Sequence, residues 1–113
     1  MRVTIYHNPK CSNSRHCVEL IREAGFEPTI VEYLKHPLAQ PDLEKLVGKM
    51  GVAVRDVMRT KEPLYGELGL NDAGDAALLK AVAANPVLLN RPIVVTDKGA
   101  KLCRPPELVK ELL

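Results

Sequence analysis

The chain has 113 residues, 46% of them hydrophobic, and a formal net charge of only +2, which suits one domain over residues 1–113 with a single core. So mild a charge argues against nucleic acid or a membrane surface as a partner, and any anion must be bound by locally placed groups. No apolar stretch approaches the roughly 18 residues of a membrane-spanning helix, and three cysteines without paired spacing favour a reducing compartment, so we expect a cytoplasmic protein.

The first third of the chain predicts a β-α-β unit. Residues 3–6 alternate branched and aromatic side chains and are followed by a polar turn over residues 7–10, which indicates a strand and then a loop. Apolar side chains then recur at helical spacing from Ser12 until Gly25, so Cys11 is predicted to lie at the N-terminus of a helix. Residues 28–34 predict a second strand, parallel to the first.

The middle of the chain predicts an all-helical insert over about residues 40–85. Its pattern indicates a helix over residues 41–50, with Pro41 in the first helical position, and a short helical piece over residues 54–58. Glycine, proline and Asn-Asp punctuate residues 61–74, which we interpret as loops and short turns. Asp75 is expected to cap a further helix that runs to residue 84.

The last third returns to strands. Residues 93–95 and 100–103 predict an antiparallel hairpin across a turn at residues 96–99, and Pro105 then opens a final helix. The predicted order is β-α-β, helices, β-β-α, which is an α/β fold. Neither an internal repeat nor a linker supports a second domain.

Cys11 is the candidate reactive centre. A thiol is a good nucleophile only as the thiolate, and a helix N-terminus with nearby cations lowers a cysteine pKa. The preceding loop offers an imidazole at His7 and an ammonium at Lys10. The free backbone N–H groups of the first helical turn can point at a bound anion; they belong to Ser12, Asn13 and Ser14.

The remaining cysteines and Ser14 allow more than one interpretation. Ser14 lies one turn after Cys11, so its hydroxyl either donates to the thiolate or forms a local cap. Cys17 shares the apolar face of the helix, about 9 Å along the axis from Cys11 and beyond disulfide reach, so we expect it in the core. Cys103 at a strand end is expected to pack, with a resolving role as the minor alternative. His7, Cys11 and His16 do not make a closed ligand set, so no metal is expected.

Three arginines are candidates for holding an oxyanion, because a planar, permanently charged fork suits that task. Arg91 and Arg104 each precede a proline at the edge of a strand, which restricts the backbone and helps to aim the guanidinium. Arg59 ends a short helical segment, and by itself it would be interpreted as a surface residue.

The segment YHNPKCSNSR, residues 6–15, closely resembles the active-site signature of the glutaredoxin-dependent arsenate reductases, the ArsC family. Four further blocks resemble the family in the same order, at residues 58–59, 67–70, 90–95 and 103–107. The resemblance implies a thioredoxin-like fold, with a β-α-β … β-β-α core and a helical insert. It also implies a cis peptide between Arg91 and Pro92.

The resemblance implies roles for particular residues. Cys11 matches the family nucleophile, His7 the residue that helps to lower its pKa, and Arg59, Arg91 and Arg104 the arginines that bind the oxyanion. The implied reaction reduces arsenate to arsenite with glutathione as co-substrate and glutaredoxin as partner, without a tightly bound cofactor. Ser14 stands where a Cys-x-x-Cys motif carries its second thiol, so reducing equivalents must come from outside. We expect a monomer.

Three other classes of protein are alternatives. Phosphatase-like reductases use a Cys-x5-Arg loop, but the sixth residue after Cys11 is Cys17, which excludes them. The Spx transcriptional regulators share the fold and bind RNA polymerase, but usually carry a Cys-x-x-Cys switch, against which Ser14 argues. A general glutathione-dependent thiol oxidoreductase needs only the helix-start cysteine and leaves the three arginines without a purpose.

Overall fold

The structure is a computed structural model that describes all of residues 1–113, and the chain forms two compact units. The first comprises Met1–His36 and Arg91–Leu113, and the second comprises Pro37–Asn90. The second unit is slightly wider than the predicted insert of about 40–85. The single-domain organisation stays a prediction. No helix has both the length and the apolar character needed to cross a membrane.

The first unit is built on a four-stranded sheet in the order β2-β1-β3-β4. The strands are β1 Thr4–His7, β2 Thr29–Glu32, β3 Ile93–Thr96 and β4 Gly99–Leu102. β1 runs parallel to β2 and antiparallel to β3, and β3 and β4 form an antiparallel hairpin. The predicted α/β class and the predicted strand order are confirmed.

One helix and one 3₁₀ helix cover this sheet and enclose its core. α1, Ser12–Glu23, follows β1, and a 3₁₀ helix over Pro106–Leu112 packs against it. Each apolar side chain fully buried here contributes about 1.5–3 kcal/mol to folding. The core consists of Val3, Ile5, Cys17, Val18, Ile21, Val94, Cys103, Val109 and Leu112.

Several strand boundaries differ from the prediction, and two of these differences concern residues near the site. His7 is the last residue of β1 and not the first of a turn, because it continues the parallel ladder opposite Glu32. Cys103 lies just beyond β4, and its backbone N–H donates to the carbonyl oxygen of Pro92 at 2.9 Å. β2 is shorter than predicted, since only β1 pairs with it.

The second unit is helical. Its α-helices are α2 Gln40–Met50, α3 Pro63–Glu67 and α4 Asp75–Ala84, and 3₁₀ helices cover Val54–Val57, Leu70–Asp72 and Pro86–Leu88. Gly51 ends α2 in the left-handed region at φ 68°, where glycine avoids a steric cost. Two predictions were wrong in detail: Gly74, not Asp75, is the N-cap of α4, and residues 61–74 include short helices because Pro63 is preset for a first helical position.

Arg55 organises the loops of the second unit. Its Nε donates to the Tyr65 hydroxyl at 2.8 Å, and its Nη2 donates to the carbonyl oxygens of Leu70, Asn71 and Ala73 at 3.0, 3.1 and 3.0 Å. No sequence pattern marks Arg55, because three of its four partners are backbone carbonyls, which any residue can supply.

Candidate active site

Cys11 is the N-cap residue of α1, as predicted, with extended backbone angles of φ −92° and ψ 122°. Its backbone N–H donates to the carbonyl oxygen of Asn8 at 3.0 Å, and its carbonyl oxygen accepts from the N–H of Arg15 at 3.0 Å. The Asn8 side-chain oxygen also accepts from the Lys10 N–H. The turn between β1 and α1 is therefore tightly bonded. It leaves Cys11 9% exposed.

The surroundings of Cys11 favour the thiolate. Burial by itself raises the pKa of the Cys11 thiol, but other groups outweigh this effect and the net pKa is lowered. These groups are the backbone N–H of Ser14, the charged side chain of Arg91 and the backbone N–H of Asn13. These groups act through hydrogen bonds to the sulfur, which stabilise its charged form. A larger fraction of Cys11 is ionised near neutral pH than of an ordinary cysteine.

His7 reaches the nucleophile through Ser14. The Nδ1 of His7 lies 2.6 Å from the Ser14 hydroxyl oxygen. Burial lowers the pKa of His7. The Glu32 carboxylate acts to raise that pKa, and the positive charge of Arg15 lowers it further. A neutral imidazole lends no positive charge to the sulfur, and neither His7 nor Lys10 is among the groups that lower the Cys11 pKa. That His7 helps to lower the Cys11 pKa stays a prediction, and any such effect would act through Ser14.

The hydrogen bonds of Ser14 limit what its hydroxyl can do. The side chain is fully buried, and its oxygen accepts from the backbone N–H of Asn8 at 3.1 Å. A hydroxyl has one proton to give. If His7 Nδ1 is unprotonated, Ser14 donates to it; if Nδ1 carries a proton, the hydroxyl oxygen accepts that proton's hydrogen bond as well. The contact of Ser14 with the Cys11 sulfur is made by its backbone N–H, so donation from its hydroxyl to the thiolate stays a prediction.

Arg91 and Arg104 lie beside Cys11. The Nη1 of Arg104 is 4.0 Å from the Cys11 sulfur and donates to the carbonyl oxygen of Arg91 at 2.9 Å. The predicted cis peptide between Arg91 and Pro92 is confirmed, and a second one joins Arg104 to Pro105. The structure thus brings two of the three predicted arginines to the sulfur.

Arg59 lies in the second unit. Its backbone N–H donates to the carbonyl oxygen of Leu88 at 2.8 Å, next to an isolated β-bridge between Met58 and Leu89. Its Nη1 is 3.3 Å from a carboxylate oxygen of Glu62. The oxyanion-binding role of Arg59 stays a prediction. The same role for Ser12, whose side chain is exposed, and for the half-buried Asn13 also stays a prediction.

The other two cysteines lie in the core. Cys17 and Cys103 are both fully buried and belong to the same apolar cluster, which confirms the prediction for Cys17. A hydrogen bond with Cys103, together with burial, raises the pKa of Cys17 and keeps it a neutral thiol. The Cys103 thiol donates to the carbonyl oxygen of Lys101 at 3.6 Å. Its burial in the core confirms the prediction that it packs, and the resolving role stays the untested alternative. No three histidine, cysteine or acidic side chains are grouped to hold a metal ion.

Comparisons with known proteins agree with this geometry. The sequence model of the ArsC family matches residues 6–112. An arsenate reductase of Rhizobium meliloti is 48% identical over all of this chain and 82% of its own length. The uncharacterized protein YfgD of Escherichia coli is 44% identical over 99% of this chain and 97% of its own. The structure of an arsenate reductase from Vibrio cholerae superposes with a TM-score of 0.96 at 44% identity, covering 100% of this chain and 98% of that one. The predicted thioredoxin-like fold is confirmed.

Proposed function

Since the chain belongs to the ArsC family, we propose that it is an arsenate reductase in which Cys11 is the nucleophile. The observation that carries the proposal is the pairing of an activated thiol with two arginines: Arg91 lowers the Cys11 pKa, and Arg104 lies 4.0 Å from the sulfur. A general thiol oxidoreductase needs the first feature only. The Rhizobium meliloti relative named arsenate reductase, 48% identical over the whole chain, supports the same substrate.

The chemistry begins at the Cys11 sulfur. The thiolate attacks the arsenic atom of arsenate, an As–S bond forms, and one arsenate oxygen leaves as water after protonation. Arg91 and Arg104 offer charged N–H groups to the remaining oxygens, and we keep Arg59 as the third proposed arginine. The N–H groups that stabilise the thiolate become available to the oxyanion once the sulfur is bonded. Binding and activation thus use the same groups.

The two electrons come from external thiols. We propose that glutathione displaces a further oxygen of the adduct as water. A glutaredoxin thiol then attacks the glutathione sulfur, so that a mixed disulfide forms, the As–S bond to glutathione breaks and arsenic(V) on Cys11 is reduced to arsenic(III). Water finally displaces the Cys11 sulfur from arsenic. Overall, two thiols become one disulfide, arsenate becomes arsenite, one oxygen leaves as water, and the Cys11 thiol is restored. The fully buried Ser14 supplies no second thiol one turn from Cys11, which supports an outside reductant. Such a cycle belongs in a reducing cytoplasm and needs no tightly bound cofactor.

A coupled assay tests the proposal. Purified protein, glutathione, glutaredoxin and arsenate are combined, and the formation of arsenite and of oxidised glutathione is measured. We expect arsenate-dependent turnover that Cys11→Ser abolishes. Cys17→Ser is the matched control, because it removes a thiol of the same helix that faces the core. An intact protein that forms no arsenite would overturn the proposal.

Two further measurements distinguish the proposed function from its rivals. Turnover of a low-molecular-weight disulfide with glutathione, at a rate that exceeds arsenate reduction, would favour the general oxidoreductase. Co-purification of RNA polymerase subunits with the tagged protein would favour the regulator. We expect neither result, because two arginines beside the Cys11 sulfur suit the binding of an oxyanion.

A further inference from the structure

Glu32 lies opposite His7 in the sheet. The two residues are paired in the register of the parallel strands β1 and β2, one at the end of each strand. Side chains of residues paired in this way stand on the same face of a sheet, and neighbouring strands are about 4.8 Å apart. The Glu32 side chain, 38% exposed, therefore stands next to the imidazole.

A groove between α1 and β2 confirms which face this is. Ile30, two residues before Glu32 and paired with the buried Ile5, lines the groove together with His7. Alternate residues of β2 therefore face α1, and Glu32 follows Ile30 on that face. The groove has a volume of about 270 Å³ and is completed by side chains of α1: Arg15, Val18, Glu19 and Arg22.

The charged side chains around His7 differ in the groups with which they pair. Arg15 of α1 donates to the Pro9 carbonyl oxygen at 2.9 Å, and Arg22 forms an ion pair with Glu27 at 3.0 Å. Glu19 lines the groove. Glu32 has an exposed partner, Lys35, at 3.8 Å, which is a weak screen. Glu32 is the carboxylate whose charge acts on His7, against burial and Arg15.

We propose that Glu32 is a positioning residue for the nucleophile: its carboxylate favours the His7 tautomer protonated on Nε2, which leaves Nδ1 to accept the Ser14 hydroxyl. Nδ1 already faces Ser14, so Nε2 is the nitrogen left for the proton that a nearby negative charge stabilises. Ser14 then donates to His7 and accepts from the Asn8 N–H, and both of its hydrogen bonds are fixed.

This arrangement acts on Cys11 through the backbone. The N–H of Ser14 gives the largest contribution that lowers the Cys11 pKa. A hydroxyl bonded on both sides holds the first turn of α1 in the orientation that aims this N–H at the sulfur. Glu32 thereby raises the reactivity of Cys11 although its own charge disfavours a nearby thiolate. The inference rests on the proposed function only in taking Cys11 as the nucleophile.

Nuclear magnetic resonance and alkylation test the inference without arsenate. Nitrogen chemical shifts of the His7 ring report its tautomer, and the rate of Cys11 alkylation by iodoacetamide between pH 5 and 9 reports the thiolate. In Glu32→Gln we expect a smaller share of the Nε2-protonated tautomer. We also expect Cys11 alkylation at pH 7 to be slower by roughly two- to fivefold, the range of a partly screened charge. Glu32→Asp should restore part of the Nε2-protonated share and part of the alkylation rate.

The sign of the effect separates positioning from simple charge. Removing a negative charge alone would favour the thiolate and speed alkylation. Glu19→Gln removes the same charge from the same groove, and we expect it to leave the tautomer unchanged. Glu32→Gln protein with the wild-type tautomer, or with alkylation as fast as wild type or faster, would overturn the inference. A wild-type protein that forms no arsenite would overturn the proposed function and leave this test intact.

Discussion

The side chain of Arg104 fixes the backbone of Arg91: its Nη1 donates to the Arg91 carbonyl oxygen at 2.9 Å. The same Nη1 lies 4.0 Å from the Cys11 sulfur. A second link runs between the same two segments, from the Cys103 N–H to the Pro92 carbonyl oxygen. Arg104 therefore holds the other arginine in place, and under the proposed function it also binds the substrate. These two roles predict different responses to substitution.

Arg104→Ala should lower arsenate turnover by about 10- to 100-fold, since a charged hydrogen bond worth roughly 1.5–3 kcal/mol is lost at the oxyanion. Arg104→Lys keeps the charge but not the fork, and it should recover only part of the rate. Steady-state kinetics with arsenate measure both. Alkylation of Cys11 by neutral iodoacetamide is the control and should change much less. An equal loss in the two reactions would assign Arg104 to the fold alone.

Arg91→Ala should raise the pKa of Cys11, because the Arg91 side chain both hydrogen-bonds to the sulfur and places a positive charge beside it. The alkylation rate of Cys11 should then fall several-fold at pH 7, and the difference from the wild type should shrink as the pH rises and both thiols ionise. The pH profile of alkylation, read by mass spectrometry at Cys11, measures this. A profile identical to that of the wild type would contradict the prediction.

His7→Gln should flatten the acid side of the stability profile. Burial lowers the pKa of His7 below the 6.5 of an exposed histidine. The contribution of neutral His7 is therefore complete above pH 6.5 and is lost as the pH falls toward its folded-state value, because the unfolded chain takes up the proton first. Urea unfolding at pH 7.5 and pH 5 measures the difference. His16→Gln is the control, because His16 lies at an exposed site of α1. Equal acid losses in wild type and His7→Gln would refute the prediction.

Cys103→Ala separates packing from redox chemistry. If Cys103 only packs, the variant should lose about 1–2 kcal/mol of unfolding free energy and keep its arsenate turnover. Cys17→Ala, its hydrogen-bonded neighbour in the same cluster, should behave alike. Urea unfolding and the coupled assay measure the two quantities. Loss of turnover in Cys103→Ala with retention in Cys17→Ala would instead make Cys103 a resolving thiol.

Arg55→Met should destabilise the protein by roughly 2–4 kcal/mol, because it leaves three carbonyl oxygens and the Tyr65 hydroxyl without their donor. Methionine keeps the length of the side chain, so the loss reports the hydrogen bonds. Chemical unfolding measures it. Arg22→Met, at an exposed arginine paired with Glu27, should leave the free energy of unfolding nearly unchanged. Equal effects of the two substitutions would contradict the role of Arg55.

Much of the fold could be predicted from the sequence because the signals are local. The spacing of apolar residues after Ser12 predicts α1, and Gly25, with its positive φ, marks where that helix has ended. The position of Cys11 follows from these two features and the strand before it. Cys17 is assigned to the core by the same periodicity. These conclusions need no residue that is distant in the chain.

The contacts that define the site could not be predicted in this way. Glu32 meets His7 only through the register of two strands, and Arg104 meets the Arg91 carbonyl and the Cys11 sulfur across 13 and 93 residues of chain. Periodicity shows which face of an element is buried, but register and hydrogen-bond partners depend on how elements pack. The sequence by itself therefore determined the order of the elements and the place of Cys11 at the start of α1. The tertiary structure decided which groups surround that cysteine, because the energy of a hydrogen bond or a buried charge depends on distances set by packing.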